Sequence, residues 1–200
     1  MSATFVLATH NAHKVAEFQA ILGGESDIDI ISYDGPEPIE DGVTFSENAL
    51  IKARAAAEHT GLPSLADDSG LCVDVLSGAP GIFSARWAGP KRGDGANLDL
   101  LLQQISDVRD SDRTAYYACV IAVVVPAHDG RAAQEFVVEA HWRGRLVREP
   151  SGSSGFGYDP IFVPDGSTRT AAEMDPSEKN RQSHRALALA KLKPLLVELV

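Results

Sequence analysis

Two hundred residues, 44% hydrophobic and 23% charged, suit one globular domain with room for two lobes, and exclude a disordered tail or a collagen-like repeat. Eighteen Lys and Arg against 28 Asp and Glu leave a formal net charge of −10, which disfavours binding a nucleic-acid polymer through its backbone. The longest apolar run, 118–125, spans a sheet but no membrane, and the start of the chain lacks the cationic and long apolar stretches of a secretory signal.

Residues 4–8 read as a short buried strand. Val15, Phe18 and Leu22 at i, i+3 and i+7 predict an amphipathic helix over 11–22, stopped by Gly23 and Gly24. A second strand is expected over 28–32. Residues 33–42, with Pro36, Pro38 and four carboxylates, read as a loop. Thr44 and Glu47 have capping-box spacing, and Gly61 with Pro63 closes the far end. This predicts a helix over 44–60 with Ala49, Ala53, Ala56 and Ala57 as a close-packing face. Residues 62–66 lead into an acidic turn at 67–70. A strand is expected over 71–76, with Leu71, Val73 and Val75 on one face. A turn at 78–81 and a short helix over 97–105 follow. The β-branched run 116–125 predicts a central strand covered on both faces. After a turn at 126–130, residues 134–148 read as one or two strands interrupted near Gly144. Residues 149–157 form a Gly- and Ser-rich stretch, and 158–163 read as another strand. A final helix from Ser183 is expected to bury Leu187, Ala190 and Leu195 and to end or kink at Pro194. Helices and strands alternate and strands then cluster, so an α/β protein with a mixed sheet is expected. Cys72 and Cys119 lie far apart without CxxC spacing, and are expected as reduced thiols of a cytoplasmic protein.

Several segments suit chemistry. At 9–14 a strand end meets a helix start carrying Lys14. Backbone N–H groups, the positive helix end and the cation suit a phosphate; equally, Asn11 caps the helix and Lys14 is solvated. The GxxxxGK[ST] loop is absent. At 67–70 two adjacent carboxylates sit between apolar stretches. A divalent cation would relieve their repulsion and desolvation, and an ordinary hairpin turn is the alternative. At 152–159 glycines that permit close approach accompany Phe156 and Tyr158, whose faces suit a stacked base; a flexible surface loop is the alternative. Lys179, Arg181, His184 and Arg185 gather at the last helix start, where cations oppose the macrodipole. An anionic or purine ligand and a solvated helix entrance both fit. Glu47 is accounted for by its cap, and Lys52 follows on the same helix. The combination of phosphate corner, paired acids, glycine-aromatic loop and basic cluster describes a metal-dependent enzyme acting on a nucleoside polyphosphate.

The blocks THNAHK at 9–14, FSENA at 45–49, LADDSGL at 65–71, GAPGIFSARWAG at 78–89, GFGYDPIF at 155–162 and SHR at 183–185 span nearly the whole chain in order. In these blocks the sequence resembles the inosine/xanthosine triphosphate pyrophosphatases, which hydrolyse non-standard purine nucleoside triphosphates. His10 stands where that family commonly has Gly. The resemblance implies one pyrophosphatase domain over 1–200. It implies a two-lobed α/β fold with a long twisted mixed sheet, flanking helices and a cleft between the lobes, and a homodimer in the cytoplasm. The implied reaction is Mg²⁺-dependent hydrolysis of ITP, dITP or XTP to the monophosphate and pyrophosphate, cleansing the nucleotide pool. Carried over by residue, Thr9, His10, Asn11, Ala12, His13, Lys14 and Lys52 would hold the triphosphate. Glu40 and Asp68 would bind the metal, with Asp68 also the catalytic general base. Ser69 and Arg86 would contact the substrate. Phe156 would stack on the base, Gly157, Tyr158 and Asp159 would line it, and Lys179, His184 and Arg185 would complete its pocket. A donor from Arg185, His184 or a loop N–H to the C6 keto group would discriminate against adenine. The competing expectations are a pyrophosphatase for pyrimidine or modified nucleotides, and a nucleotide-sensing module without turnover.

Overall fold

The computed structural model describes residues 3–22, 28–128 and 130–198, apart from the side chains at 12, 13, 20, 197 and 198. The elements in chain order are β1 (Ala3–Leu7), α1 (Ala12–Leu22), β2 (Ile28–Ser32), α2 (Phe45–Thr60), β3 (Ser64–Val73), α3 (Gly93–Gln104), β4 (Thr114–Val125), β5 (Gln134–Leu146), β6 (Phe162–Pro164), α4 (Pro176–Gln182) and α5 (His184–Glu198). Six strands form one mixed sheet in the order β2-β1-β3-β4-β5-β6. β1 runs parallel to β2 and β3, and β6 runs antiparallel to β5. Among the described residues no helix is long and apolar enough to cross a membrane.

The chain divides into two compact units. The first comprises Met1–Asp68, Cys119–Ala140 and Arg185–Val200. Its two cores share β4. Cys119, Ile121 and Val123 pack with Phe5, Leu7, Phe18, Leu22 and Leu189, whereas Val120, Ala122 and Val124 pack with Ala49, Ala53 and Ala57. Strand side chains alternate between faces, so an unbroken apolar run must be covered twice, as expected. α2 is fixed at both ends. The Thr44 hydroxyl accepts from the Glu47 N–H at 3.1 Å, the Glu47 carboxylate accepts from the Thr44 N–H at 3.2 Å, and Gly61 turns left-handed with φ of 69°. α1, with 11 residues, is too short to persist alone. Burial of Phe18 and Leu22 holds it, each contributing about 1.5–3 kcal/mol relative to exposure. The stop expected at Gly23 and Gly24 lies outside the described residues.

The second unit comprises Ser69–Ala118 and His141–His184. Its core gathers Leu71, Val73, Leu101, Tyr117, Trp142, Ile161 and Phe162. Arg113 is buried there, and its guanidinium donates to the carbonyls of Ile105, Leu146 and Val147.

Several expectations are corrected. Residues 67–70 form no turn: β3 runs through them from Ser64 to Val73. Asp, Ser and Gly are common in turns, but here cations reach the carboxylates in place and let the strand continue. Val75 falls in a 3₁₀ turn, Asp74–Leu76, and is exposed rather than aligned with Leu71 and Val73. β5 passes through Gly144 unbroken. A Cβ there would meet the Val163 carbonyl and the Phe162 ring, so the glycine serves the close approach of β6. Residues 159–161 form a 3₁₀ turn, leaving only three residues to β6. α3 starts at Gly93, earlier than residue 97. α4 was not expected, and it carries Lys179 and Arg181, with Ser183 separating it from α5. Pro194 lies inside α5 without ending it. The buried face of α5 is Ala188, Leu189, Leu192 and Leu196, whereas Leu187 and Ala190 are exposed and Leu195 is half-buried. A helix apolar on more than one side does not reveal which side docks.

Candidate active site

The period of a strand explains the acidic pair. Adjacent residues point to opposite faces, so Asp67 and Asp68 meet different partners. Asp67 shares a face with Leu65, whose cluster includes residues of α1 and α5. Asp68 shares a face with Ala66, which packs against α2. The two carboxylates are thereby served by different nearest cations, Lys14 and Arg185 for Asp67 and Lys52 for Asp68, although the Asp67 charge still acts on Asp68 and Lys52 still acts on Asp67.

Asp67 is 3% exposed. It accepts from Lys14 Nζ at 2.8 Å and from Arg185 at 3.3 Å. Arg185, itself buried, also donates to Glu17 at 2.7 Å. Burial by itself pushes the Asp67 carboxyl up, but Lys14, Arg185 and Lys52 outweigh it and hold the group well below the usual carboxylate range. Burial likewise works against the Arg185 charge, and Asp67 and Glu17 more than restore it.

Asp68 lies opposite Lys52, which approaches it at 3.5 Å and Glu40 at 3.3 Å. Burial raises the Asp68 carboxyl. Lys52 and the Asn48 amide oppose that shift, and the Glu40 charge adds to it. Among the described residues Asp68 Oδ2 is buried with no hydrogen-bond partner. An orphaned carboxylate oxygen beside a second carboxylate fits a hard cation. Mg²⁺ is commonly held by one or two carboxylates, with waters and phosphate oxygens completing its shell. Among the described residues no cluster of three or more His, Cys, Asp or Glu forms a full cage.

Thr9, His10, Lys14, Glu40, Lys52 and Asp67 line one hollow of about 590 Å³, its open mouth included, together with Ala8, Tyr33, Glu37 and Pro38. The Asn11 side chain faces the start of α1, its Oδ1 3.4 Å from the Lys14 N–H. The side chains of Ala12 and His13 lie outside the described ones.

A second hollow, of about 580 Å³ with its mouth, lies within the second unit. Ser69, Phe156, Gly157, Tyr158, Asp159, Lys179 and His184 line it, as do Tyr117, Ser84 and Asp94. Phe156 is 61% exposed, and Lys179 Nζ stands 5.2 Å from its ring centroid. The Asp159 carboxylate accepts from Lys179 and from the Phe156 N–H, which shapes the loop. Asp94 accepts from the Gly157 N–H at 2.9 Å, and the Tyr158 hydroxyl donates to the Ser84 carbonyl at 2.9 Å. The His184 ring stacks on Tyr117 with centroids 4.9 Å apart. A flat apolar slot edged by a few polar groups suits a heterocyclic base.

Two expected residues stand elsewhere. Arg185 is engaged with Asp67 and Glu17 in the first unit and does not line this hollow. Its place directly after His184 in sequence hid that difference. Arg86 is exposed over the Phe83 ring and lines neither hollow. Sequence reasoning missed Asn48, Asp94 and Tyr117. Asn48 lay in view within FSENA, whereas nothing local marks the other two.

Residues 5–195 match the profile of the Ham1 family. The chain is 57% identical over 193 residues to a dITP/XTP pyrophosphatase of Leifsonia xyli subsp. xyli, covering 96% of this chain and 94% of that one. It is 54% identical over 200 residues to the protein of the same name from Streptomyces coelicolor, covering 98% of each. Among solved structures it resembles a HAM1 protein from Coxiella burnetii, with a TM-score of 0.88, 44% identity, and coverage of 98% and 99%. A nucleoside-triphosphatase, dITP/XTP pyrophosphatase, from Mycobacterium abscessus gives a TM-score of 0.78, 47% identity, and coverage of 96% and 99%.

Proposed function

The chain belongs to the Ham1 family, and from that premise we propose that it is a dITP/XTP pyrophosphatase, hydrolysing dITP, XTP and ITP to the monophosphate and pyrophosphate. The observation that carries the reading is the hollow that joins Lys14, Lys52 and Glu40, with Lys52 reaching on to Asp68. Phosphate transfer to water needs charge neutralisation and alignment more than covalent help. Thr9, His10, Asn11, Ala12, His13, Lys14 and Lys52 hold the triphosphate. The two lysines offset its charge. Asp68 orients a water through its unpartnered oxygen and takes its proton. The water adds across the anhydride between the α and β phosphates, and pyrophosphate leaves. Glu40 and Asp68 would hold Mg²⁺, which supplies further charge neutralisation and a more acidic water when bound. Ser69 contacts the substrate and Phe156 stacks on the base. Gly157, Tyr158, Asp159, Lys179 and His184 complete the base pocket.

The 200 residues act as one domain, since each unit is assembled from separated stretches of chain. A homodimer belongs to the same reading by its resemblance, and light scattering tests it. A cytoplasmic location accords with Cys72 and Cys119, both buried and not joined in a disulfide.

Incubation with dITP, XTP, ITP, ATP and GTP, with and without Mg²⁺, tests the activity. Monophosphate and pyrophosphate are expected from the first three in Mg²⁺, with ATP and GTP largely spared. Release of orthophosphate, or equal turnover of all five, would refute the reading. Arg185→Ala is expected to lower dITP and ATP hydrolysis by the same factor, because the guanidinium serves Asp67 and Glu17. A narrowed dITP-to-ATP ratio would return Arg185 to base selection.

A further inference from the structure

His10 occupies the rim of the triphosphate hollow with an unusual set of contacts. Its Nε2 lies 3.1 Å from the Gly35 carbonyl oxygen, and its Nδ1 lies 3.1 Å from Glu37 Oε1. Its ring stacks on Tyr33, 6° from parallel. A carbonyl oxygen and a carboxylate oxygen both accept. The ring thus stands between two acceptors, one of them the carboxylate of an exposed side chain.

The charges around it differ in how firmly they are held. Lys14 is paired with buried Asp67, and Lys52 with Glu40 and Asp68. Tyr33 faces the ring from the 33–42 loop, with the Asp34 charge beside its hydroxyl, and His59 of α2 meets Tyr33 edge-on. The Glu37 side chain is 74% exposed, against 2% for that of Asp67. Glu37 can therefore turn into water at little cost, whereas Asp67 cannot leave Lys14.

We propose that His10 is a further side-chain donor to the polyphosphate, held ready by Glu37, whose carboxylate is a placeholder that a phosphate oxygen replaces on binding. The proposal rests on the reading that this hollow takes a triphosphate. It assigns opposite roles to two residues in contact. His10 attracts the ligand, and Glu37 competes with it.

Nitrogen-15 NMR of the histidine side chains, with and without inorganic tripolyphosphate, tests the first half, with His10→Gln identifying the signals. The His10 ring signals are expected to move when tripolyphosphate is added. Signals that stay in place would overturn the proposal whatever the enzyme hydrolyses. Calorimetry with inorganic tripolyphosphate tests the second half without turnover. His10→Gln should weaken binding by about threefold or more, and Glu37→Gln should leave it equal or tighter. A clamp that merely shaped the loop would weaken binding in both variants, and that result also refutes the proposal. In steady-state assays His10→Gln should raise KM for dITP with kcat within about twofold of the parent. If the parent hydrolyses neither dITP nor XTP, the pyrophosphatase reading fails while the NMR and tripolyphosphate results still judge His10.

Discussion

Asp68→Asn is expected to cut dITP and XTP turnover by about 10²–10⁴-fold while the protein stays folded. The substitution keeps the shape of the side chain but replaces one carboxylate oxygen with an amide. The Asp68 oxygen with no hydrogen-bond partner among the described residues is buried beside Lys52 and Glu40, where the proposed reaction needs a base for its water. Retention of the fold follows from the direction in which the site shifts this group. Burial raises the Asp68 carboxyl, so the folded state disfavours its charge, and a neutral amide relieves that cost. Pyrophosphate release and urea unfolding, measured on the same preparation, check both halves. Near-normal turnover in a folded Asp68→Asn protein would remove Asp68 from the mechanism.

One position earlier the same substitution should act in the opposite sense. Asp67→Asn is expected to destabilise the protein by about 3 kcal/mol, because it strips the shared counterion from two cations. Arg185 is buried and retains Glu17 as its one carboxylate partner among the described residues, and Lys14 loses its 2.8 Å contact. The Asp67 carboxyl is held low, so its charge favours the folded state. The urea midpoint should fall clearly below that of the parent and of Asp68→Asn. A stability equal to that of the parent would mean that the buried network contributes nothing. Turnover should also drop, through a higher KM, since Lys14 is no longer aimed by its partner.

Elements whose signals are local were legible. The capping box of Thr44 and Glu47, the glycine after Thr60 and the alternating cores along β4 all lie within reach of a few neighbouring residues. Six motif blocks likewise identified the chemistry, because residue types and their order survive without coordinates. Strand or turn at 67–70 was different. Its composition favours a turn, and only cations brought from α1, α2 and α5 make an extended acidic stretch tolerable. The docking face of α5 was misread because the helix is apolar on more than one side.

Residue types and their spacing were enough for the helices with caps, the doubly covered strand, the acidic and basic residues available and the family they belong to. Which cation serves which carboxylate follows from packing instead. Asp67 meets Lys14 across 53 residues of chain and Arg185 across 118, while its neighbour Asp68 turns to Lys52. Local preferences act over a turn or two of chain. An ionic network depends on which faces are brought together by packing, and on burial that makes each pairing strong.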